Sequence, residues 1–416
     1  MMAGRYQERV ALLNTILSTP KIDIKKLREI CFEGIPDKAG FRSLCWKILL
    51  NYLPLDRSKW KTFLEKERAK YQNFISDIIV QPSSNKLNES DLSLDHPLNL
   101  DPESQWQTFF KDNEVLLQID RDVRRLCPDI SFFQHPTEYP ASYVGGTYKP
   151  CETLRKRVEQ AILEASEIGM SRLGVKNVKK KRAEEYALLP EGQEAHWEVV
   201  ERMLFIYAKL NPGVGYVQGM NEVIGPIYNV LASDPNKEWQ AHAEADAFFC
   251  FAHLMGEIRD NFLKTLDDSA CGIGNVMLQL FQFLQCSDQE LFEDLEKKSI
   301  KPQFFAFRWI TLLLSQEFSL PDVIRLWDSL FSDLDRIDFI LHVCCAMLIL
   351  MRQRLLDSDF AWTMKLLQNF PSDEYDMATI IRKADELRKP SATTTAPTGK
   401  AQSNRGLNLK KRLMLF

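Results

Sequence analysis

The chain has 416 residues, 45% hydrophobic and 26% charged, the balance of a globular protein with a substantial core rather than a disordered or fibrous one. Its formal net charge of −4 excludes a global basic field for nucleic acid. Its nine cysteines, odd in number and never spaced C-x-x-C, argue against a zinc knuckle or a thioredoxin-type pair and read as reduced core thiols of a cytoplasmic protein.

From the amino end, Met1 to Arg9 lacks the apolar stretch of a secretory signal. Apolar residues three and four apart then predict helices over Glu8–Leu17, Ile22–Phe32, Arg42–Tyr52 and Trp60–Ile79, with Gly34 to Gly40 breaking the second from the third. Residues 81–105 are rich in proline and turn formers and read as a loop or insertion. Trp106–Leu126 is helical and stops before Pro128. An irregular stretch, Pro128–Cys151, precedes a helix over Thr153–Leu173 and the basic run Lys176–Arg182, read as a solvated loop.

Glu194–Leu210 is a strong helix ended by Asn211-Pro-Gly213. Further helices are predicted over Met220–Leu231, Ala243–Arg259, Gly274–Leu284, Asp288–Lys298, Phe304–Phe318, Pro321–Phe331, Phe339–Leu355 and Phe360–Phe370. Phe339–Met351, the longest strongly apolar run, is shorter than the ~18 residues of a membrane span. With no useful alternating pattern, the fold class is all-α. From Lys389 onward Pro, Ser, Thr, Ala, Gly and Lys prevail, predicting a disordered tail. That tail holds Lys400, Arg405, Lys410, Lys411 and Arg412 and no acid. Its basic and apolar end reads as a frayed terminus, with contact to an anionic membrane as the alternative.

There is no P-loop, no G-x-G-x-x-G after a strand, no H-E-x-x-H and no G-x-S-x-G elbow. An all-helical chain without these motifs points to regulation or binding rather than to a self-contained active site.

Four segments carry a resemblance. They are Gly34-Ile-Pro-Asp-Lys-Ala-Gly-Phe-Arg-Ser-Leu-Cys-Trp46, with Arg42 and Trp46 at R-x-x-x-W; Ile119, Asp122 and Arg125 at I-x-x-D-x-x-R; Tyr216 and Gln218 at Y-x-Q; and Trp309 followed by Leu326-Trp327-Asp328. In this order, across about three-quarters of the chain, they resemble the TBC-domain family of Rab GTPase-activating proteins. The resemblance implies some sixteen helices in a V shape, a GTP-loaded Rab as partner, and two residues supplied in trans: Arg125 as an arginine finger and Gln218 as a glutamine finger. It implies no cofactor or metal of the chain's own, since GTP and magnesium belong to the GTPase. The chain is then a GTPase activator in vesicle traffic, not an enzyme by itself. The competing readings are a catalytically silent Rab-binding scaffold and an all-α adaptor unrelated to GTPases.

Spacing adds the supporting residues. On a helix, Asp122 and Arg125 are neighbours on one face, so Asp122 is expected to hold the guanidinium and Ile119 to anchor the helix. Tyr216 lies two residues before Gln218 in a loop opened by Pro212, Gly213 and Gly215. The blander reading makes Arg125 a helix C-cap and Gln218 a loop hydrogen bonder. Arg124 is the rival for the finger. Trp46, Trp309 and Trp327 are expected in the core.

The domain reading is residues 1–33 as helices packed on the domain, 34–388 as the TBC domain, and 389–416 as the basic tail. The two fingers stand 93 residues apart, more than in typical members. Residues 129–192 therefore read as an expansion and 80–105 as a second, both shaping partner choice.

Overall fold

Amphipathic periodicity dictates the architecture. A computed structural model describes residues 2–79, 105–141, 150–173, 188–190, 192–262 and 272–389. Within them the chain forms α1 (Met2–Ser18), α2 (Ile24–Phe32), α3 (Phe41–Leu49), α4 (Trp60–Ile78), α5 (Gln105–Val123), α6 (Pro150–Leu173), α7 (His196–Leu210), α8 (Met220–Ala232) and α9 (Lys237–Gln240). There follow α10 (Ala243–Ile258), α11 (Ile273–Ser287), α12 (Gln289–Lys297), α13 (Ala306–Thr311), α14 (Leu320–Ser332), α15 (Arg336–Leu350), α16 (Arg352–Leu356), α17 (Phe360–Gln368) and α18 (Met377–Arg388). Among the described residues the extended pairings are two isolated bridges, Lys21 with Asp56 and Pro136 with Ala195. The all-α expectation holds. No helix of the described residues is long and apolar enough to cross a membrane.

Helices α7, α10 and α15 are buried almost all round, as helices at the centre of a large core must be. Aspartates start several helices. Asp23, Asp288, Asp359 and Asp376 each accept a backbone N–H from the first turn of an amphipathic helix, and Asp335 does the same for the buried α15.

Three predicted helices end differently in the structure. Phe304–Phe318 is not one helix: after the six residues of α13 the chain turns, with Leu313 and Leu314 at φ of 52° and 62°. The turn leaves the Leu313 carbonyl free of helical bonding, and it accepts the Trp327 indole N–H at 3.0 Å. Phe339–Leu355 is divided at Met351. There Arg352 turns to bond Asp288 at 2.6 Å, and the Leu355 carbonyl accepts from Lys298 at 2.7 Å. Trp106–Leu126 stops being helical after Val123, and Cys127 takes a φ of 43°. Arg125 therefore lies in the turn beyond α5, not on the helix.

Two helices, the four-residue α9 and α18, were not expected, although Asn236 caps the first, Asp376 caps the second, and Ile380, Ile381 and Ala384 bury one face of α18. Helix α18 packs against α14 and α15. The loop reading at 81–105, the basic run Lys176–Arg182 and the tail from residue 390 lie outside the described residues, except that α5 begins at Gln105.

The four motif segments meet in two places. The first is a buried joint around Asp328, whose side chain is fully enclosed. Its carboxylate accepts the Trp46 indole N–H at 2.8 Å, the Ile35 backbone N–H at 2.8 Å and the Arg42 Nε at 3.2 Å. Arg42 also donates to the Ile35 carbonyl and pairs with Asp37. Trp46 stacks edge-on against Phe331 and lies beside Trp327. Trp309 is fully buried against Phe305 and Phe370. Arg42, Trp46, Trp309, Trp327 and Asp328 are thus core and joint residues. The first 33 residues are held to the same region, with Arg28 donating to the Ser332 and Asp333 carbonyls.

Candidate functional site

The second meeting place joins the end of α5 to the loop between α7 and α8. Ile119 and Val123 are fully buried and fix the last turns of α5 in the core. Leu126 packs so closely on α8 that a Cβ built at Gly225 would stand 2.9 Å from its Cδ1, closer than real side chains approach. Arg125, between these anchors, points outward with 62% of its side chain exposed. Its Nε donates to the Arg121 carbonyl at 3.0 Å, so the C-capping reading describes one edge of the guanidinium. One terminal nitrogen stands 3.7 Å from Asp122 Oδ1, an ion pair beyond hydrogen-bonding distance.

Arg124 has the opposite fate. It is 8% exposed, donates to Asp120 at 2.8 Å and has its guanidinium carbon 4.4 Å from the centre of the Trp197 ring. Such a buried guanidinium serves packing.

The loop begins with a tight turn in which Val214 and Gly215 both donate to the Asn211 carbonyl. It ends at Gly219, which takes a φ of 101°. A Cβ built there would lie 2.6 Å from Leu312 Cδ2, so the conformation and the space both require glycine. Gln218, immediately before it, is exposed.

The two pieces are fastened by Tyr216, whose hydroxyl donates to Asp122 Oδ2 at 2.8 Å. Asn221, at the start of α8, adds a bond from its amide to the Asp122 backbone carbonyl at 3.3 Å. Burial raises the Asp122 carboxyl above the usual aspartate range, against the pull of the Tyr216 hydrogen bond and of Arg125 and Arg121. Burial and the neighbouring Asp122 push the Tyr216 phenol far up, so it remains a hydrogen-bond donor at any physiological pH. Asp122 thus pairs with Arg125 at 3.7 Å, as expected, and also accepts the Tyr216 hydroxyl. The guanidinium keeps a nearby countercharge without being consumed by it.

All five expected residues, Ile119, Asp122, Arg125, Tyr216 and Gln218, belong to this one region. Three others were not singled out: Asn221, Glu222 and Gln316. Asn221 and Glu222 stand three and four residues after Gln218, so their position was a signal. Gln316, in the turn after α13, lowers the proton affinity of Glu222, and nothing local in the sequence points to it. A cavity of about 1130 Å³ lies elsewhere, floored by Phe132, His196 and Tyr228 and bordered by Glu244. Neither Arg125 nor Gln218 lines it, so it is separate from this surface.

The Rab-GTPase-TBC domain pattern matches residues 189–356, a span that includes Gln218 but begins after Arg125. TBC1 domain family member 13 of Mus musculus is 56% identical to this chain over 93% of it and 99% of the relative, and its Homo sapiens counterpart is 55% identical over the same shares. A TBC domain-containing protein of Schizosaccharomyces pombe is 36% identical over 93% of this chain and 74% of its own length. The crystal structure of the Ypt/Rab-GAP domain of Gyp1p shares the fold, with a TM-score of 0.63, 23% identity, and coverage of 92% of this chain and 97% of that one.

Proposed function

The chain belongs to the Rab-GTPase-TBC domain family, and on that premise we propose that it accelerates GTP hydrolysis by a Rab-type small GTPase through Arg125 and Gln218. The observation that carries this reading is the Tyr216–Asp122 hydrogen bond. It ties the loop bearing Gln218 to the helix end bearing Arg125, while both side chains stay open to a partner.

The partner brings GTP and magnesium; the chain needs no cofactor of its own. What a GTPase lacks is charge compensation and a well-held water. As the bond to the γ-phosphoryl group breaks, negative charge moves toward the leaving oxygen and spreads over the phosphoryl oxygens. The Arg125 guanidinium, planar and always protonated, donates to both places at once. The Gln218 carboxamide accepts from the attacking water and donates to a phosphoryl oxygen. Because the backbone carrying both groups is fixed before docking, part of the ordering cost is met before the reaction step. The fixed turn at Gly219 keeps the carboxamide at the rim. The inserted stretches 80–105 and 129–192 are assigned to partner choice rather than to chemistry.

Single-turnover GTP hydrolysis across a panel of GTP-loaded Rabs tests the proposal. At least one Rab is expected to respond, with Arg125→Ala and Gln218→Ala each abolishing most of the stimulation while preserving the melting temperature. Binding without stimulation would identify a scaffold instead. Failure to interact with any GTP-loaded Rab would remove the reading altogether.

A further inference from the structure

Beneath the two exposed side chains lies a layer of polar groups that the proposed chemistry does not touch. Asn221 is 3% exposed. Its amide nitrogen has two hydrogens and two acceptors: the Asp122 carbonyl at 3.3 Å and Glu222 Oε1 at 3.0 Å. Its amide oxygen stands 3.4 Å from the Tyr216 hydroxyl. Both amide hydrogens are committed, while the hydroxyl hydrogen beside the oxygen goes chiefly to Asp122, so the orientation of Asn221 depends on which groups around its nitrogen accept. Glu222, in the first turn of α8, supplies one of those acceptors, and Gln316, from the turn after α13, lowers its proton affinity. Through Asn221 the carboxyl connects to Asp122 and Tyr216.

We propose that Glu222, acting through Asn221, is a positioning residue for Arg125 and Gln218, and that its carboxylate form is the one that holds them. The inference rests on the function proposed above. An ionised carboxyl only accepts, so Oε1 meets the Asn221 amide without competition. On protonation one oxygen becomes an O–H donor and the remaining acceptor capacity lies mainly on the other. A proton on Oε1 weakens the bond from Asn221 and favours its turning over. An Asn221 turned over would aim its oxygen at the Asp122 carbonyl, two acceptors face to face.

Glu222 is placed to change state near neutrality. Burial, with Asp122 nearby, pushes its carboxyl up to about 7, against the bonds from Gln316 and Asn221. The groups around it are Asp122 at the end of α5, the Cys127 thiol in the following turn, the Tyr216 phenol in the loop, and Gln316 after α13. None of these groups is a cation, so only the neutral amides of Asn221 and Gln316 favour the ionised carboxyl. Arg125 acts on Asp122 and Tyr216 instead.

The test is single-turnover hydrolysis by a responsive GTP-loaded Rab from pH 6 to pH 8, divided by the Rab's intrinsic rate at each pH. A group titrating at about 7 changes its ionised fraction up to about tenfold over this range. The stimulated rate at saturating activator is expected to rise by up to that factor. Glu222→Gln is expected to remove the step and lower stimulation at pH 8. Asn221→Ala, which cuts the connection but leaves the carboxyl, is expected to remove the step too.

Stability supplies an opposite sign. The folded protein keeps the Glu222 proton above the ordinary value of 4.5. This group's contribution to stability therefore falls as pH rises from 4.5 to 7. Glu222→Gln should melt at a higher temperature than wild type above pH 7 while being less active, a pairing that a purely structural role does not produce. An unchanged pH step in both variants overturns the inference and leaves the proposed function standing. Should Glu222→Gln fail to fold, Asn221→Ala decides by itself. A wild-type protein that stimulates no Rab at any pH overturns both readings.

Discussion

Two aspartates, Asp328 and Asp122, each gather donors from distant parts of the chain, and they do so to different ends. Asp328 is fully enclosed, and Trp46, Ile35 and Arg42 all bond to it. The guanidinium that meets it is itself largely buried and has its remaining donors used by the Ile35 carbonyl and Asp37. Asp122 takes one firm side-chain bond, from Tyr216, and leaves Arg125 at 3.7 Å and mostly exposed. The first arrangement closes the fold, with the arginine spent inside it. The second arrangement fastens a loop and keeps an arginine in reserve. Saturation of the carboxylate is what distinguishes a structural aspartate from one that serves an exposed cation.

The comparison can be broken most sharply at Arg125. Arg125→Lys is expected to lose stimulation nearly as fully as Arg125→Ala, by about 10³–10⁵. Lysine keeps the charge but not the planar fork. Its thermal midpoint should match wild type, because the side chain contributes little inside the fold. Near-normal stimulation by the lysine variant would mean that charge alone suffices and that Arg125 is no finger.

Asp328→Ala should act on the other side of the comparison. Removing one partner of a buried, hydrogen-bonded pair costs about 3–5 kcal/mol, so denaturant midpoints should fall markedly. The fraction that remains folded should still stimulate hydrolysis. A selective loss of stimulation with unchanged stability would show that the Asp328 joint communicates with the finger surface.

Tyr216→Phe sharpens the comparison with the smallest change. It deletes the hydroxyl that links the loop to Asp122 and should cost about 1 kcal/mol of stability. Stimulation should drop more than stability does, through kcat, since the loop loses its registration with the end of α5. Equal, small effects on both would reduce the Tyr216–Asp122 bond to a packing detail.

Much of this molecule was legible in its residues. Helical periodicity needs only local order, so α7, α10 and α14 could be read directly from apolar spacing, and the all-α class followed. The Y-x-Q and I-x-x-D-x-x-R segments were legible as a resemblance. Where reading failed, a distant partner had intervened. The break after α13 exists because Leu313 and Leu314 enter the left-handed region, where the Leu313 carbonyl meets the indole of Trp327, fourteen residues away. Helix α18 was overlooked because its apolar face is short and gains its meaning only against α14 and α15.

The sequence by itself determined which segments are helical, which are apolar on one side, and which residue types stand ready for charge and water handling. The spacing from Ile119 and Asp122 already favoured Arg125 over Arg124; only the tertiary structure buries Arg124 beside Trp197 and leaves Arg125 at the surface. It alone brought Asp122 to Tyr216 and set Asn221, Glu222 and Gln316 behind them. The physical reason is range: helix formation is settled by neighbours a turn apart, whereas exposure and hydrogen-bond partnership depend on which remote surfaces the closed core presses together.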